Sequence, residues 1–231
     1  MKKLKILMRK GFIFDLDGVI VDTAKYHFLA WQNLATGLGI SFTEEQNEQL
    51  KGVSRIKSLE KILEWGNKTI SEDQFQSLMT EKNEEYLSYI AKMDQSEILP
   101  DVPRLLDYLI KNNQGIALGS ASKNARVILE KVGLKSKFDT IVDGTNVTKA
   151  KPDPEVFLIG AKQLEIAPEN CIVFEDSVAG IKAANNAGMI SIGIGDKDIL
   201  AEADFVFNDF TTIKNEFIDQ LINTQKEPRV L

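Results

Sequence analysis

Short apolar runs that end in polar side chains recur along the chain. The first covers residues 12–14 and ends at Asp15, and three more cover residues 115–119, 138–142 and 171–174. Segments with a helical spacing of apolar residues lie between them, at 102–111, 125–132, 154–164 and 179–187. Apolar runs of this length are typical of buried strands, and strands that alternate with helices form parallel sheets. The pattern predicts an α/β fold with a Rossmann-like parallel sheet.

Residues 23–93 interrupt this alternation. They hold several helix patterns and no convincing strand, and two capping boxes, at 43–46 and 71–74, begin helices within them. This predicts a helical cap domain, residues 23–93, inserted into a core domain formed by residues 1–22 and 94–231.

The composition narrows the choice of partners. The chain carries 28 Lys and Arg against 34 Asp and Glu, a net charge of −6, and no basic run in its body could follow a nucleic-acid backbone. The single cysteine, Cys171, lies in an apolar run, which fits a reducing compartment. No segment approaches transmembrane length, and the basic start at 1–10 has too short an apolar stretch for an export signal. We expect a cytoplasmic monomer without nucleic-acid or membrane partners, and a polar, frayed tail after Asn223.

Four carboxylates follow two of the predicted strands. Asp15 and Asp17 come after the first strand, and Glu175 and Asp176 come after the last. Ligands of open parallel sheets bind outside the carboxyl ends of the strands, so these side chains are expected to converge. Two unit charges about 4 Å apart repel by roughly 4 kcal/mol at an effective dielectric constant of about 20. Such a cluster must take up protons or hold a cation, and oxygen ligands favour Mg²⁺.

Three further polar residues indicate a phosphate site. Lys151 precedes Pro152, which fixes an extended entry to the next helix and would hold the ammonium at the rim of the pocket. Ser120 and Asn124 lie where a strand passes into a helix, and the free N–H groups and dipole of a helix start attract anions.

These residues, taken in order, resemble the four motifs of the haloacid dehalogenase (HAD) superfamily: Asp15-Leu16-Asp17-Gly18-Val19, Ser120, Lys151 and Glu175-Asp176. The match spans nearly the whole chain. The resemblance implies that Asp15 attacks phosphorus to give an aspartyl-phosphate and that Asp17 is the general acid and base. It also implies one Mg²⁺ per subunit, held by the side chains of Asp15, Glu175 and Asp176 and the backbone carbonyl of Asp17.

Five segments carry a finer resemblance, to sugar-phosphate mutases of this superfamily that have a cap. They are residues 22–27 with Trp31, 50–55 with Ser58, 120–124, 151–157 and 174–181. The resemblance implies interconversion of β-D-glucose 1-phosphate and D-glucose 6-phosphate, with β-glucose 1,6-bisphosphate as intermediate and activator. It implies a second phosphate site at Arg55. The expected substrate-binding residues are Thr23, His27, Trp31, Lys51, Gly52, Val53, Ser54, Arg55, Ser58, Lys82, Ser120, Ala121, Ser122, Lys123, Asn124 and Lys151.

Plainer interpretations of several of these residues stay open. His27 lies on an apolar stripe and could be an interface residue, and Trp31 could serve packing alone. Lys82 falls in the middle of another apolar stripe, where it either extends past Tyr86 into water or faces the sugar phosphate. The pair Glu175-Asp176 could cap the helix that follows.

Two other functions use the same residues. A sugar-phosphate phosphatase would share the core, and Arg55 and His27 would distinguish the mutase from it. A phosphosugar sensor without catalysis is disfavoured, because it would be expected to lose Asp15 or Asp17, and the chain has both.

Overall fold

Six strands form a single parallel sheet in the computed structural model, which describes residues 9–223. The strands are β1 (Gly11–Phe14), β2 (Gly115–Gly119), β3 (Thr140–Val142), β4 (Cys171–Glu175), β5 (Ile190–Ile194) and β6 (Phe205–Phe207). Their order is β3-β2-β1-β4-β5-β6, and every neighbouring pair is parallel. The predicted Rossmann-like α/β fold is confirmed. The basic start through Met8 and the polar tail after Asn223 lie outside the described residues.

Helices cover both faces of the sheet. They are α1 (Ala24–Gly37), α2 (Glu44–Glu48), α3 (Arg55–Trp65), α4 (Glu72–Ile90), α5 (Val102–Lys111), α6 (Ala125–Lys131), α7 (Glu155–Gln163), α8 (Val178–Asn186) and α9 (Asn215–Asn223). Side chains of β1 alternate between the faces. Phe12 and Phe14 pack in one apolar cluster with α5, α6 and α9, whereas Ile13 packs in the other with α7 and α8. No helix of residues 9–223 is long and apolar enough to cross a membrane.

The direction of strand addition reverses at β1, which lies between β2 and β4. Phe14, the last residue of β1, pairs with Leu118 on one side and with Phe174 on the other. The backbone N–H of Asp15 continues this pairing with a 3.0 Å hydrogen bond to the carbonyl of Phe174. The reversal therefore brings the residues after β1, β2 and β4 to one crevice, the usual ligand site of such sheets.

Residues 24–90, here called the helical insertion, contain α1 to α4 between β1 and β2. They have an apolar cluster of their own, which includes Trp31, Phe42 and Ile62. Both capping boxes at 43–46 and 71–74 are present, at the starts of α2 and α4. Tyr86 and Ile90, near the end of α4, belong instead to a cluster of the sheet. The exact domain boundaries, at 22/23 and 93/94, therefore stay a prediction.

Candidate active site

Three carboxylates converge at the carboxyl ends of β1 and β4. Asp15, Glu175 and Asp176 each offer one oxygen, and these oxygens lie within 4.8 Å of one another. Lys151 reaches the cluster and donates hydrogen bonds of 2.6 Å to Oδ1 of Asp15 and 2.7 Å to Oε2 of Glu175. The ammonium of Lys51 lies 3.5 Å from Oδ2 of Asp176. Two ammonium groups cannot neutralise three carboxylates, so ionisation of all three would leave an excess of negative charge in a buried place.

The pKa values of Asp15 and Asp176 are both raised. Burial raises the pKa of Asp15 to about 7, although the charge of Lys151 opposes the rise. Burial and the neighbouring charge of Glu175 raise the pKa of Asp176 well above its ordinary range. Hard oxygen donors that repel one another at this spacing suit a small divalent cation, and Mg²⁺ is commonly held by a few carboxylates together with a substrate phosphate. The donor set therefore fits the expected metal.

Two glycines allow the carboxylates to approach the backbone closely. Gly18 has a φ of +78°, and a Cβ built on it would lie 2.1 Å from Oδ2 of Asp176. A Cβ on Gly180, in α8, would lie 2.0 Å from the carboxyl carbon of Glu175. Ser177 caps α8, and its hydroxyl also donates a 2.7 Å hydrogen bond to Glu175. The alternative that Glu175 and Asp176 serve as the helix cap is therefore wrong.

Asp17 lies beside the cluster and contacts the helical insertion. Its backbone N–H donates a 3.0 Å hydrogen bond to Oδ2 of Asp15, and its carboxylate accepts one from the hydroxyl of Thr23. Nε2 of His27 lies 3.8 Å from the same carboxylate oxygen. Burial raises the pKa of Asp17, while the Thr23 hydrogen bond and the charge of Lys82 lower it. A carboxyl group with a raised pKa is suited to both giving and accepting a proton.

Lys82 does not extend into water, because only 2% of it is exposed. Its ammonium nitrogen lies 2.9 Å from Nδ1 of His27, and 4.6 Å and 4.7 Å from the ring centres of Trp31 and Tyr86. Burial and the charge of Arg55 lower the pKa of Lys82 to about 7, and burial lowers that of His27 well below its usual value. When Lys82 donates to Nδ1, the ring hydrogen of His27 resides on Nε2, which faces Asp17.

A cavity of about 560 Å³ lies between the helical insertion and the sheet. Thr23, Lys151 and Glu175 lie outside its lining. Thr23 and Lys151 donate hydrogen bonds to Asp17 and Asp15, which line it, and a carboxylate oxygen of Glu175 lies within 4.8 Å of oxygens of Asp15 and Asp176. All the other predicted site residues line it: Asp15, Asp17, His27, Trp31, Lys51, Gly52, Val53, Ser54, Arg55, Ser58, Lys82, Ser120, Ala121, Ser122, Lys123, Asn124 and Asp176. The structure thus brings the predicted residues of the sheet and of the helical insertion to one cavity.

Residues 120–124, here called the phosphate loop after their expected ligand, connect β2 to α6. The hydroxyl of Ser120 accepts a 3.1 Å hydrogen bond from the backbone N–H of Ser122, and the hydroxyl of Ser122 accepts one of 3.2 Å from that of Asn124. The backbone N–H of Ser120 donates to the carbonyl of Val142, the last residue of β3. These bonds fix the shape of the loop, a requirement for a preorganised anion site.

Arg55 is the first residue of α3, whose cap is Ser54. Its guanidinium is partly buried, and burial lowers its pKa. Within residues 9–223, no carboxylate forms an ion pair with it. A cation that borders a cavity without an acidic partner is suited to an anionic ligand.

Lys51 and Ser58 have partners within the protein. Nζ of Lys51 lies 2.9 Å from Glu48 and 3.5 Å from Oδ2 of Asp176, so it connects the helical insertion to the carboxylate cluster. The hydroxyl of Ser58 donates a 3.1 Å hydrogen bond to the carbonyl of Ser54. It therefore supports the start of α3.

Sequence reasoning missed a wall of the cavity on α4. Gln76, Met79, Thr80 and Asn83 line it and follow the i, i+3, i+4, i+7 spacing of one helix face. Asn83 Oδ1 accepts a 3.1 Å hydrogen bond from Nδ2 of Asn124. The signal was a row of three polar residues beside the apolar stripe that contains Lys82.

The fold and the site define a class of protein. Residues 9–188 match the family model of the haloacid dehalogenase-like hydrolases, and the chain belongs to that family. It is 41% identical to the β-phosphoglucomutase of Bacillus subtilis over 91% of this chain and 94% of that protein. The crystal structure of β-phosphoglucomutase from Clostridium difficile is similar, with 45% identity, a TM-score of 0.90, and coverage of 94% of this chain and 98% of that one.

A phosphatase is a more distant relative. The fructose-1-phosphate phosphatase of Escherichia coli is 31% identical over 80% of this chain and 95% of its own length. The mutases are thus more similar to the chain than this phosphatase is.

Proposed function

We propose that the chain is a β-phosphoglucomutase, which interconverts β-D-glucose 1-phosphate and D-glucose 6-phosphate. The observation that carries the proposal is that a candidate nucleophile and a candidate phosphate-binding cation line the same cavity. Asp15 borders the cavity from the sheet, and Arg55, a cation without an acidic partner among the described residues, borders it from the helical insertion. A hydrolase needs one phosphate site, whereas a bisphosphate intermediate needs two.

In the proposed reaction, Asp15 begins as the aspartyl-phosphate, and the 6-hydroxyl of β-glucose 1-phosphate attacks its phosphorus. The bond from phosphorus to Asp15 breaks, Asp17 accepts the proton of the hydroxyl, and the bisphosphate forms. In the second half, after the bisphosphate has turned around, a carboxylate oxygen of Asp15 attacks the phosphorus at C1 as the nucleophile, the bond from phosphorus to the C1 oxygen breaks, and Asp17 returns the proton to that oxygen. The hydrogen bonds of Lys151 and of the Asp17 N–H to Asp15 support this role, since they fix the orientation of the nucleophile.

The side chains of Asp15, Glu175 and Asp176 would hold Mg²⁺, with the backbone carbonyl of Asp17 as a further ligand. When bound, the ion would neutralise charge on the phosphate and so allow a carboxylate to approach it. Lys151 and the phosphate loop would bind phosphate oxygens.

The helical insertion would serve selectivity. An aspartyl-phosphate reacts with water as well as with a sugar hydroxyl, so a mutase must position the sugar and exclude solvent. We propose that Lys51, Gly52, Val53 and Ser54 contact the sugar and that Thr23 and His27 orient Asp17. β-Glucose 1,6-bisphosphate would be both intermediate and activator, and it would turn around when the insertion opens. We also propose that the protein is a monomer and is located in the cytoplasm.

A sugar-phosphate phosphatase is the second candidate, and the similarity to the Escherichia coli phosphatase favours it. A coupled assay separates the two. The purified protein receives Mg²⁺, β-glucose 1-phosphate and a trace of β-glucose 1,6-bisphosphate, and glucose 6-phosphate and free phosphate are followed together. Glucose 6-phosphate without stoichiometric free phosphate supports the mutase, whereas free phosphate alone supports the phosphatase. Asp15→Ala should remove either activity, and turnover that survives this change would contradict the mechanism.

A further inference from the structure

Asn124 occupies the position that precedes α6, where an asparagine side chain ordinarily accepts a hydrogen bond from a backbone N–H of the first helical turn. Its side chain makes no such bond. Nδ2 of Asn124 instead donates a 3.1 Å hydrogen bond to Oδ1 of Asn83, a residue 41 positions earlier on α4. The Asn124 side chain therefore makes a contact across the cavity instead of capping α6.

This contact links the two sides of the site. Both asparagines line the cavity, Asn83 from the helical insertion and Asn124 from the phosphate loop. Among the hydrogen bonds of the described residues, it alone joins the insertion to that loop. Asn83 lies next to Lys82, which contacts His27, so the same turn of α4 reaches both the phosphate loop and the neighbour of Asp17.

The geometry of an amide gives the contact a function. The two N–H bonds of Asn124 Nδ2 lie in one plane at a fixed angle, so engaging one of them fixes the direction of the other. Asn83 occupies one N–H and leaves the second for an acceptor in the cavity. A donor that is held in place before the ligand arrives binds it without a loss of side-chain freedom at that moment.

We propose that Asn83 is a positioning residue that acts through Asn124. The side-chain carbonyl of Asn83 holds the Asn124 amide ready for a phosphate oxygen, so the phosphate loop is complete only while α4 lies against it. The inference rests on the proposed function, because it takes the ligand to be the phosphate of a sugar phosphate. When α4 moves away, the Asn124 side chain is free to cap α6, and the phosphate site loses a donor.

A double-mutant cycle tests this inference. Asn83→Ala, Asn124→Ala and the double variant are compared with the unaltered enzyme in kcat and KM for β-glucose 1-phosphate. Each single change should lower kcat/KM about tenfold, the size expected for one hydrogen bond to a charged ligand. If Asn83 acts only through Asn124, the double variant should be no slower than Asn124→Ala alone. Losses that multiply in the double variant would overturn the proposal.

Controls separate positioning from folding. Glu84→Ala, an exposed change next to Asn83 on α4, should leave both kinetic constants within about twofold, since surface substitutions are usually close to neutral. Circular dichroism and urea unfolding establish that each variant folds, and Asn83→Ser replaces Asn83→Ala if the latter does not. Calorimetric titration with inorganic phosphate gives a readout without turnover: Asn83→Ala and Asn124→Ala should weaken binding equally, and undiminished binding in Asn83→Ala would contradict the proposal.

The outcome does not depend on the identity of the reaction. If the unaltered protein releases only free phosphate, the mutase proposal fails, and the same cycle is built on the rate of hydrolysis. Coupling between Asn83 and Asn124 in that reaction would still support the positioning role, and its absence would still refute it.

Discussion

Lys151 donates a 2.6 Å hydrogen bond to Oδ1 of Asp15, and both side chains are almost wholly buried. The same ammonium also contacts Glu175, so one lysine compensates two buried carboxylates. The formation of a buried ion pair contributes little net free energy to stability. Removal of one partner costs much more, because the other charge is then buried and unpaired. We therefore expect Lys151 to affect stability as well as the orientation of Asp15, the proposed nucleophile.

Replacing Lys151 with methionine should destabilise the protein by about 3–5 kcal/mol, the usual cost of an unpaired buried charge. The measurement is urea unfolding at pH 8 in the presence of a chelator, so that no metal ion replaces the lysine. Lys149→Met is the matched control, because Lys149 is exposed and its ion pair with Asp153 spans 3.4 Å. That change should alter the free energy of unfolding by less than about 1 kcal/mol.

The loss in Lys151→Met should depend on pH. Burial already raises the pKa of Asp15 to about 7 with Lys151 present, and without that charge it rises further. The folded variant then binds a proton that the unfolded chain, with an Asp pKa of about 3.9, releases. Between the pKa of the unfolded chain and that of the folded protein, stability must fall as the pH rises. In the unaltered protein this fall ends near pH 7, whereas in Lys151→Met it continues to higher pH. The deficit should therefore be smaller at pH 5.5 than at pH 8. An equal deficit at both values would contradict the argument.

Mg²⁺ should stabilise the folded protein, because the ion relieves repulsion among three carboxylates that converge only on folding. At a concentration one hundred times the dissociation constant, the gain is about 2.7 kcal/mol. Thermal unfolding with and without MgCl₂ measures this gain as an increase in Tm, here called the Mg²⁺ shift. Asp176→Asn should abolish most of the Mg²⁺ shift, whereas Glu64→Gln, an exposed change on α3, should leave it intact. The same Mg²⁺ shift in Asp176→Asn would place the metal elsewhere.

A strand of the sheet could be predicted from the sequence where it coincides with an uninterrupted apolar run. The strand predicted at 171–174 and the helix at 102–111 match β4 and α5 to within one residue. The strand predicted at 138–142 is shorter, because Asp139 uses its side chain to accept a hydrogen bond from Ile116. β5 was not predicted, since Ser191 and Gly193 interrupt its apolar run. β6 has only three residues and is partly exposed, so it gives a weak pattern.

The convergence of the carboxylates could also be predicted, because strand ends of a parallel sheet meet at a known edge. The contacts made by α4 could not. Lys82 meets His27 across 55 positions of the chain, and Asn83 meets Asn124 across 41. Both contacts depend on how α4 packs against α1 and the phosphate loop, and the helical spacing of a single segment does not specify which neighbour its polar face will meet.

Gly180→Ala should disrupt the cluster from beneath. A methyl group there would lie 2.0 Å from the carboxyl carbon of Glu175, which hydrogen bonds from Lys151 and Ser177 hold in place. We expect a loss of about 1–3 kcal/mol in the free energy of unfolding, the range for overpacking, together with a reduced Mg²⁺ shift. Gly37→Ala is the control: nothing lies within 4 Å of its added methyl group. It should be neutral or stabilise the protein by up to about 1 kcal/mol. A Mg²⁺ shift in Gly180→Ala as large as that of Gly37→Ala would argue against this position of Glu175 at the metal site.

Arg55→Ala provides the sharpest separation between mutase and phosphatase chemistry. If Arg55 binds the phosphate that is not being transferred, its loss should remove about 1.5–3 kcal/mol of interaction with a charged group, which lowers kcat/KM for β-glucose 1-phosphate by about 10- to 150-fold. An aryl phosphate has no second phosphate, so its hydrolysis should change by less than about twofold. Lys57→Ala is the control on the same helix, since Lys57 is exposed and pairs with Glu60. Equal losses with both substrates would mean that Arg55 acts at the transferred phosphate or on the fold, and the case for a second phosphate site would then fail.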